Sequence, residues 1–230
     1  MSALYIVIIA VTLFSILAYL IYYYSPKTII LRRLKNLPNQ RIGSLKTKTY
    51  SKIEGKALQI DTPLIAPLSK RKCVFYKMVI QKKVRSGKNS RWKTIVNEEK
   101  IQDFFIEKTG ERLVVLPTTN PKNYYDYLVT DKTASSGLFK ELTPEFEAVL
   151  QSYNIKSDTL FGFKRQLRYK ESIVEVGERI VVAGYVTWEK LDNPVKDYNY
   201  SNIAAIRANG KDKILITDSP AAHKPKHGRL

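Results

Sequence analysis

The chain has 230 residues, with 39 Lys or Arg against 21 Asp or Glu and a formal charge of +18. Its one cysteine, Cys73, excludes an intrachain disulfide and any cysteine-rich zinc site. The length suits one domain of ordinary size, and the basic balance points toward acidic partners, lipid headgroups or nucleic acid.

In chain order, the first 26 residues carry no charged side chain, and Leu4 to Tyr24 is almost unbroken Leu, Ile, Val, Ala, Phe and Tyr. A helix of about 21 residues spans about 31 Å, the thickness of bilayer hydrocarbon. Tyr22, Tyr23 and Tyr24 sit where an aromatic belt belongs. A signal peptide would need a basic start, a shorter apolar core and a small-residue cleavage site, and none of these is present. The expectation is a transmembrane anchor over 1–25. Lys27, Arg32, Arg33, Lys35, Arg41, Lys46 and Lys48 follow, so 26–49 reads as a basic juxtamembrane linker in contact with anionic headgroups. By the positive-inside rule a single-pass protein of this pattern has its N-terminus outside and its soluble domain in the cytoplasm.

The soluble part, 50–220, reads mostly as strands. Val74, Tyr76, Met78 and Ile80 alternate on one face, opposite Phe75, Lys77, Val79, Gln81 and Lys83, which predicts a strand most buried at its start. Residues 85–90 form a loop by composition, and Trp92, Thr94 and Val96 resume the alternation. A long hairpin with a basic tip is expected over 74–97. A second hairpin pairs 104–107 with 112–116 through Lys108-Thr109-Gly110-Glu111, where the glycine supplies positive φ. Residues 117–140 read as turn-rich. Thr143 caps a short helix with Pro144 first and an apolar stripe of Phe146, Val149, Leu150 and Tyr153. Strands follow at 172–176 and 179–189, where Gly184 suggests a bulge or a close backbone approach. Short strands are expected at 203–206 and 214–217, and 221–230 reads as a disordered basic tail. No internal repeat is evident. The fold class is β-dominant (α+β): one N-terminal transmembrane helix, then a β-rich, partly barrel-like domain with a short helix.

Four stretches carry a family resemblance. They are Ile53-Glu54-Gly55-Lys56-Ala57 with Pro63 to Ser69; Cys73-Val74-Phe75-Tyr76; Phe104-Phe105-Ile106-Glu107 with its Lys-Thr-Gly turn; and Glu171 to Glu178 running on to Tyr185. In order and spacing these resemble the GIDE, or "beside a membrane", domain of membrane-anchored mitochondrial E3 ubiquitin ligases and their prokaryotic relatives. The resemblance covers roughly 50–190 and implies a β-rich domain at the bilayer surface with a binding or regulatory role. It departs from the ligases in two ways. One Cys and two His cannot supply the about eight ligands of a RING, and no second long apolar run follows Trp188. In the ligases the domain faces the intermembrane space, whereas the charge rule here points to the cytoplasm.

Several residues invite a chemical reading. Cys73 lacks a base in sequence and reads as core. His223 and His227, split by Pro225, read as solvated tail rather than a metal pair. Glu171, Glu175 and Glu178 read as a solvated hairpin end. Lys82, Lys83, Arg85, Lys88, Arg91 and Lys93 crowd one hairpin tip and fit phosphates or an acidic partner. Tyr124, Tyr125 and Tyr127 form a candidate stacking surface, and Lys27, Arg32, Arg33 and Lys35 are candidate lipid contacts. Nucleic acid is disfavoured, because the cations are interleaved with acids and no helix-turn-helix, zinc-finger or RNP-type motif occurs. No cofactor, metal or catalytic constellation is expected. The favoured function is a non-enzymatic binding or scaffold module at the membrane surface, serving a membrane or peptide partner in envelope stress or membrane organisation. The alternatives are an anionic-lipid surface sensor and, less favoured, a ligase-type enzyme.

Overall fold

The computed structural model describes residues 2–87, 89–137, 142–157, 165–190 and 202–223. Helix α1 (Ser2–Tyr23) is continuous, and its Leu4–Tyr23 stretch has mean hydropathy 2.7 with none of it buried. By length and composition it suits a membrane span, and a signal sequence equally. Ser25 then caps a second helix, α2 (Pro26–Lys35): its Oγ accepts from the Thr28 amide at 3.3 Å and Pro26 takes the first helical position. The stretch expected as a linker is therefore structured. Ile30 and Leu34, four residues apart, are buried on one face of α2. A 3₁₀ turn at Ile42–Ser44 sends Ile42 and Leu45 into the main core.

The domain begins with β1 (Tyr50–Gln59), a strand absent from the sequence reading. Five strands close into a barrel: β1, β5 (Phe104–Lys108), β6 (Glu111–Val115), β11 (Asn202–Arg207) and β10 (Arg179–Lys190), which pairs back to β1. Closure presses backbones together where side chains cannot fit. A Cβ on Gly55 would lie 2.4 Å from the Glu107 carbonyl oxygen, and one on Gly184 would lie 2.5 Å from Ile206 Cγ2. The expected close approach at Gly184 is thus an interstrand one. The β5–β6 turn has positive φ at both Thr109 and Gly110, the two-residue type I′ geometry matched to strand twist.

Ile53, Ala57, Ile106, Val115, Val182 and Ile206 fill the barrel. The barrel sheet extends through β12 (Ile214–Thr217), on β10, to β7 (Tyr124–Tyr127). β7 lies within the region expected to be turns. Segments β6–β7 and β11–β12 are built alike. Each holds a short bridged turn, Thr119 with Lys122 and Asn209 with Asp212, and they run parallel as β6 beside β11 and β7 beside β12. This local repeat has no counterpart in residue identity.

A second sheet is built on the long hairpin of β3 (Lys72–Ser86) and β4 (Asn89–Ile101). β2 (Leu64–Ile65) pairs with the start of β3, and β9 (Leu167–Glu175) and β8 (Lys132–Ser135) complete the order. A register irregularity between Cys73 and Phe75 sends both Val74 and Phe75 into the barrel core, while Cys73, Tyr76, Met78 and Ile80 meet α3 (Pro144–Ser152) in a separate core. Val74 therefore departs from the alternation read in sequence. Helix α3 is capped as expected, with Thr143 Oγ1 accepting from the Phe146 amide at 3.4 Å.

Candidate functional site

On the outer face of β1, Tyr50 packs with α2, and Lys52 and Glu54 follow on the same face because strand side chains alternate. Val181 and Ala183 of β10, with Leu215 of β12, receive Ile30 and Leu34 of α2. Between α1, α2, β1 and the 3₁₀ turn at Pro220–Ala222 lies a cavity of about 1060 Å³. Its lining includes Tyr22 from the last turn of α1, Lys27, Arg32 and Lys35 of α2, Lys52, Glu54 and Arg179.

Glu54 is buried and held by three donors: Asn39 Nδ2 at 3.1 Å, Arg179 at 2.7 Å and His223 Nδ1 at 2.9 Å. His223, expected in a solvated tail, is instead docked against the barrel; His227 lies outside the described residues. Lys52 is 7% exposed, and its ammonium donates to the Ala222 carbonyl at 3.2 Å. Burial pushes the Lys52 pKa below its ordinary value, against the opposing pull of Glu54. Sequence reasoning missed Lys52, Glu54 and Arg179. What singles out Lys52 and Glu54 is burial on one face of β1, which the sequence does not report.

The candidate lipid contacts sit around this cavity. Lys27, Arg32 and Lys35 line it, and Arg32 also lies 4.2 Å from the Tyr23 ring centroid. Arg33 instead lies 5.5 Å from the Tyr125 ring, and Lys27 5.6 Å from that of Tyr127. The tyrosine cluster therefore divides. Tyr125 and Tyr127 are partly exposed beneath α2 cations, but Tyr124 is fully buried and is no surface contact. Tyr124 packs edge-on against Phe75 and donates to Glu99. Burial, followed by that bond to Glu99, pushes its phenol well above the ordinary range.

Glu99 belongs to a clamp between the two sheets. Lys122 donates to Glu99 at 2.6 Å and to Asp126 at 3.0 Å, and Lys77 of β3 reaches Asp126 at 2.6 Å. Burial works against the Glu99 charge, but bonds from Lys122 and Tyr124 outweigh it and hold its pKa below the usual range. Glu98 alongside accepts from Tyr153 of the α3 end and from Tyr76. Every carboxylate here is occupied by donors, as in a structural brace.

At the hairpin tip, Lys83, Arg85, Arg91 and Lys93 are exposed and Lys82 is half-buried; Lys88 lies outside the described residues. Arg168 of β9 stacks 4.2 Å from the Trp92 ring at the base of this tip. Among the described residues β4 pairs only with β3, leaving its other edge open over a 13-residue strand. Ile95, 38% exposed, is the extra residue where Ile80 faces Val96 and Gln81 faces Thr94.

Cys73 is fully buried, its thiol pKa pushed up to about 12 chiefly by burial and further by Glu171, and so it is a core residue. Glu171 is fully buried as well, against the expectation of a solvated hairpin end. It accepts from the Leu68 amide at 2.8 Å, the Ser69 amide at 3.1 Å and Tyr169 at 2.8 Å. Among the described residues no group of three or more His, Cys, Asp or Glu is placed to hold a metal ion. Comparison with protein-family models, curated proteins and solved structures returned no match.

Proposed function

We propose that the chain is a membrane-anchored, non-enzymatic binding module that captures an acidic, extended protein segment along β4 while α1 holds it in the bilayer. The observation that carries this reading is the open β4 edge. It is long, it has no second strand partner among the described residues, and Arg91 and Lys93 stand exposed along it. A strand added there gains main-chain hydrogen bonds, with side-chain charge supplying selectivity. Its bulge at Ile95 and its cations discourage indiscriminate edge-to-edge pairing.

How the helices are joined supports placement at the membrane surface. Only Tyr24 and Ser25 separate α1 from α2, and α2 is fastened to the barrel through Ile30 and Leu34. A barrel so connected stands within a few residues of the bilayer, with Lys27, Arg32, Arg33 and Lys35 at headgroup level. The basic flank favours a cytoplasmic domain and an outside N-terminus. The closed barrel agrees with the β-rich domain implied by the GIDE resemblance, and we keep a RING-less relative of that family as part of the proposal, with a role in membrane organisation or envelope stress. The test is affinity capture of the full-length protein from its native membrane at low and high salt. A near-stoichiometric protein that persists at high salt supports the module. Recovery of lipid alone, lost as salt rises, favours a lipid-surface sensor instead.

A further inference from the structure

We propose that the cavity between α1, α2 and β1 is a binding site for the phosphate-bearing headgroup of an anionic phospholipid. The inference rests on the proposed membrane placement of α1 and adds a defined ligand site to it. Five cations line the cavity, Lys27, Arg32, Lys35, Lys52 and Arg179, against one carboxylate, Glu54. That carboxylate is already occupied by Arg179, Asn39 and His223. What remains is an excess of cations with no ion-pair partner among the described residues.

Lys52 is the most informative of them. Its ammonium has three N–H donors, and one bond, to the Ala222 carbonyl, accounts for only one of them. The residue is 7% exposed and still lines the cavity. Burying an ammonium is costly unless an anion or several acceptors meet it. A phosphate oxygen in the cavity would meet the remaining donors and offset the burial that now depresses the Lys52 pKa.

The position of the cavity selects the source of that phosphate. Tyr22, one residue before the end of α1, forms part of the wall, so this wall lies at the level where a spanning helix leaves the hydrocarbon. Leu31, Leu37 and Ala221 add apolar lining suited to a glycerol backbone and the first acyl carbons. The volume of about 1060 Å³ lies at the upper end for small-ligand pockets, room for a headgroup rather than a folded partner. A soluble phosphate would share the cation contacts but leave this apolar wall empty.

The test uses the full-length protein in mild detergent. Phosphatidylglycerol, phosphatidylcholine and inorganic phosphate are titrated separately, and bound ligand is counted by native mass spectrometry. The site predicts one tightly retained phosphatidylglycerol and about tenfold or weaker retention of phosphatidylcholine. Lys52→Met should lower phosphatidylglycerol retention by about tenfold or more, the loss of a charge-assisted hydrogen bond. Arg32→Gln with Lys35→Gln, at exposed positions, should lower it severalfold and serves if Lys52→Met fails to fold. Lys83→Gln with Arg85→Gln at the hairpin should leave it unchanged. Equal retention of the two lipids, or undiminished retention in the folded cavity variants, overturns the site. Phosphate bound as tightly as phosphatidylglycerol overturns the lipid assignment. Alkaline extraction of native membranes is read alongside: release of the protein would overturn the membrane placement itself, separately from the cavity's selectivity.

Discussion

Glu171→Gln should destabilise the protein by about 1.5–3 kcal/mol, the range for a hydrogen bond to a charged group. The carboxylate is fully buried, and no Lys or Arg lies within ion-pair distance among the described residues. One oxygen accepts from the Leu68 amide and the Tyr169 hydroxyl, the other from the Ser69 amide. A glutamine can keep its oxygen where two donors converge, but its NH₂ then faces the Ser69 N–H, donor against donor. Glu171→Ala strands all three donors and should cost roughly 3–9 kcal/mol at about 1–3 per buried unsatisfied group. The assay is urea unfolding of the full-length protein in detergent, followed by tryptophan fluorescence. With a slope of about 2 kcal/mol per molar, Glu171→Gln lowers the midpoint by about 1 M. Glu175→Gln is the control. Its ion pair with Arg71 at 2.9 Å is well exposed, so its loss should cost no more than about 1 kcal/mol. A Glu171→Gln midpoint equal to that of Glu175→Gln would refute the account of Glu171 as the acceptor that organises the turn before β3.

Three other perturbations follow from the same structure. Gly55→Ala places a Cβ 2.4 Å from the Glu107 carbonyl oxygen and should lower the melting temperature by several degrees, whereas Gly137→Ala, with open space around it, should be nearly silent. Asp218 is pushed up to about 7 chiefly by burial, with Glu178 adding to the shift and the Val129 amide opposing it. The unfolded chain loses this proton near ~3.9, so between there and about pH 7 the folded state binds the extra proton. Its contribution is therefore full below that window and lost as pH rises through it, at up to about 1.4 kcal/mol per pH unit. Asp218→Asn should flatten this decline in melting temperature between pH 5 and pH 8; an unchanged slope would refute the assignment. Reversing Lys83, Arg85, Arg91 and Lys93 to Glu should leave melting unchanged, since all four are exposed, but reduce capture of protein partners. Partner recovery equal to wild type would exclude the hairpin as a contact.

Much of this architecture is legible from residue patterns, and the departures have identifiable causes. The Thr-Pro start of α3 and the Thr-Gly turn between β5 and β6 carry local chemistry that works in any context, and both stand as expected. Helix α2 was hidden because its two buried residues, Ile30 and Leu34, sit in a ten-residue run where four Lys or Arg match four aliphatic residues in number. Strands β1 and β7 were missed for another reason: Lys52, Glu54 and Asp126 interrupt their apolar alternation, and the groups that meet them, the Ala222 carbonyl, Arg179 and Lys77, come from elsewhere in the fold. Glu171 shows the same conflict. Leu167, Tyr169, Glu171 and Ile173 alternate inward, so the period of two marks Glu171 as internal while its charge argues for solvent. The donors that resolve this come from residues 68 and 69, about a hundred positions away, which no local pattern reports. The cavity beside α1 is non-local in the same sense, assembled from both helices, two strands and the turn at Pro220–Ala222.

The binding-module account is tested most directly by a photo-crosslinking residue at Ile95 on the open edge of β4, in the full-length protein within its native membrane. The account predicts a discrete protein adduct that disappears when Arg91 and Lys93 are replaced by Glu. A yield of lipid adducts alone, or of no adduct at all, would contradict it.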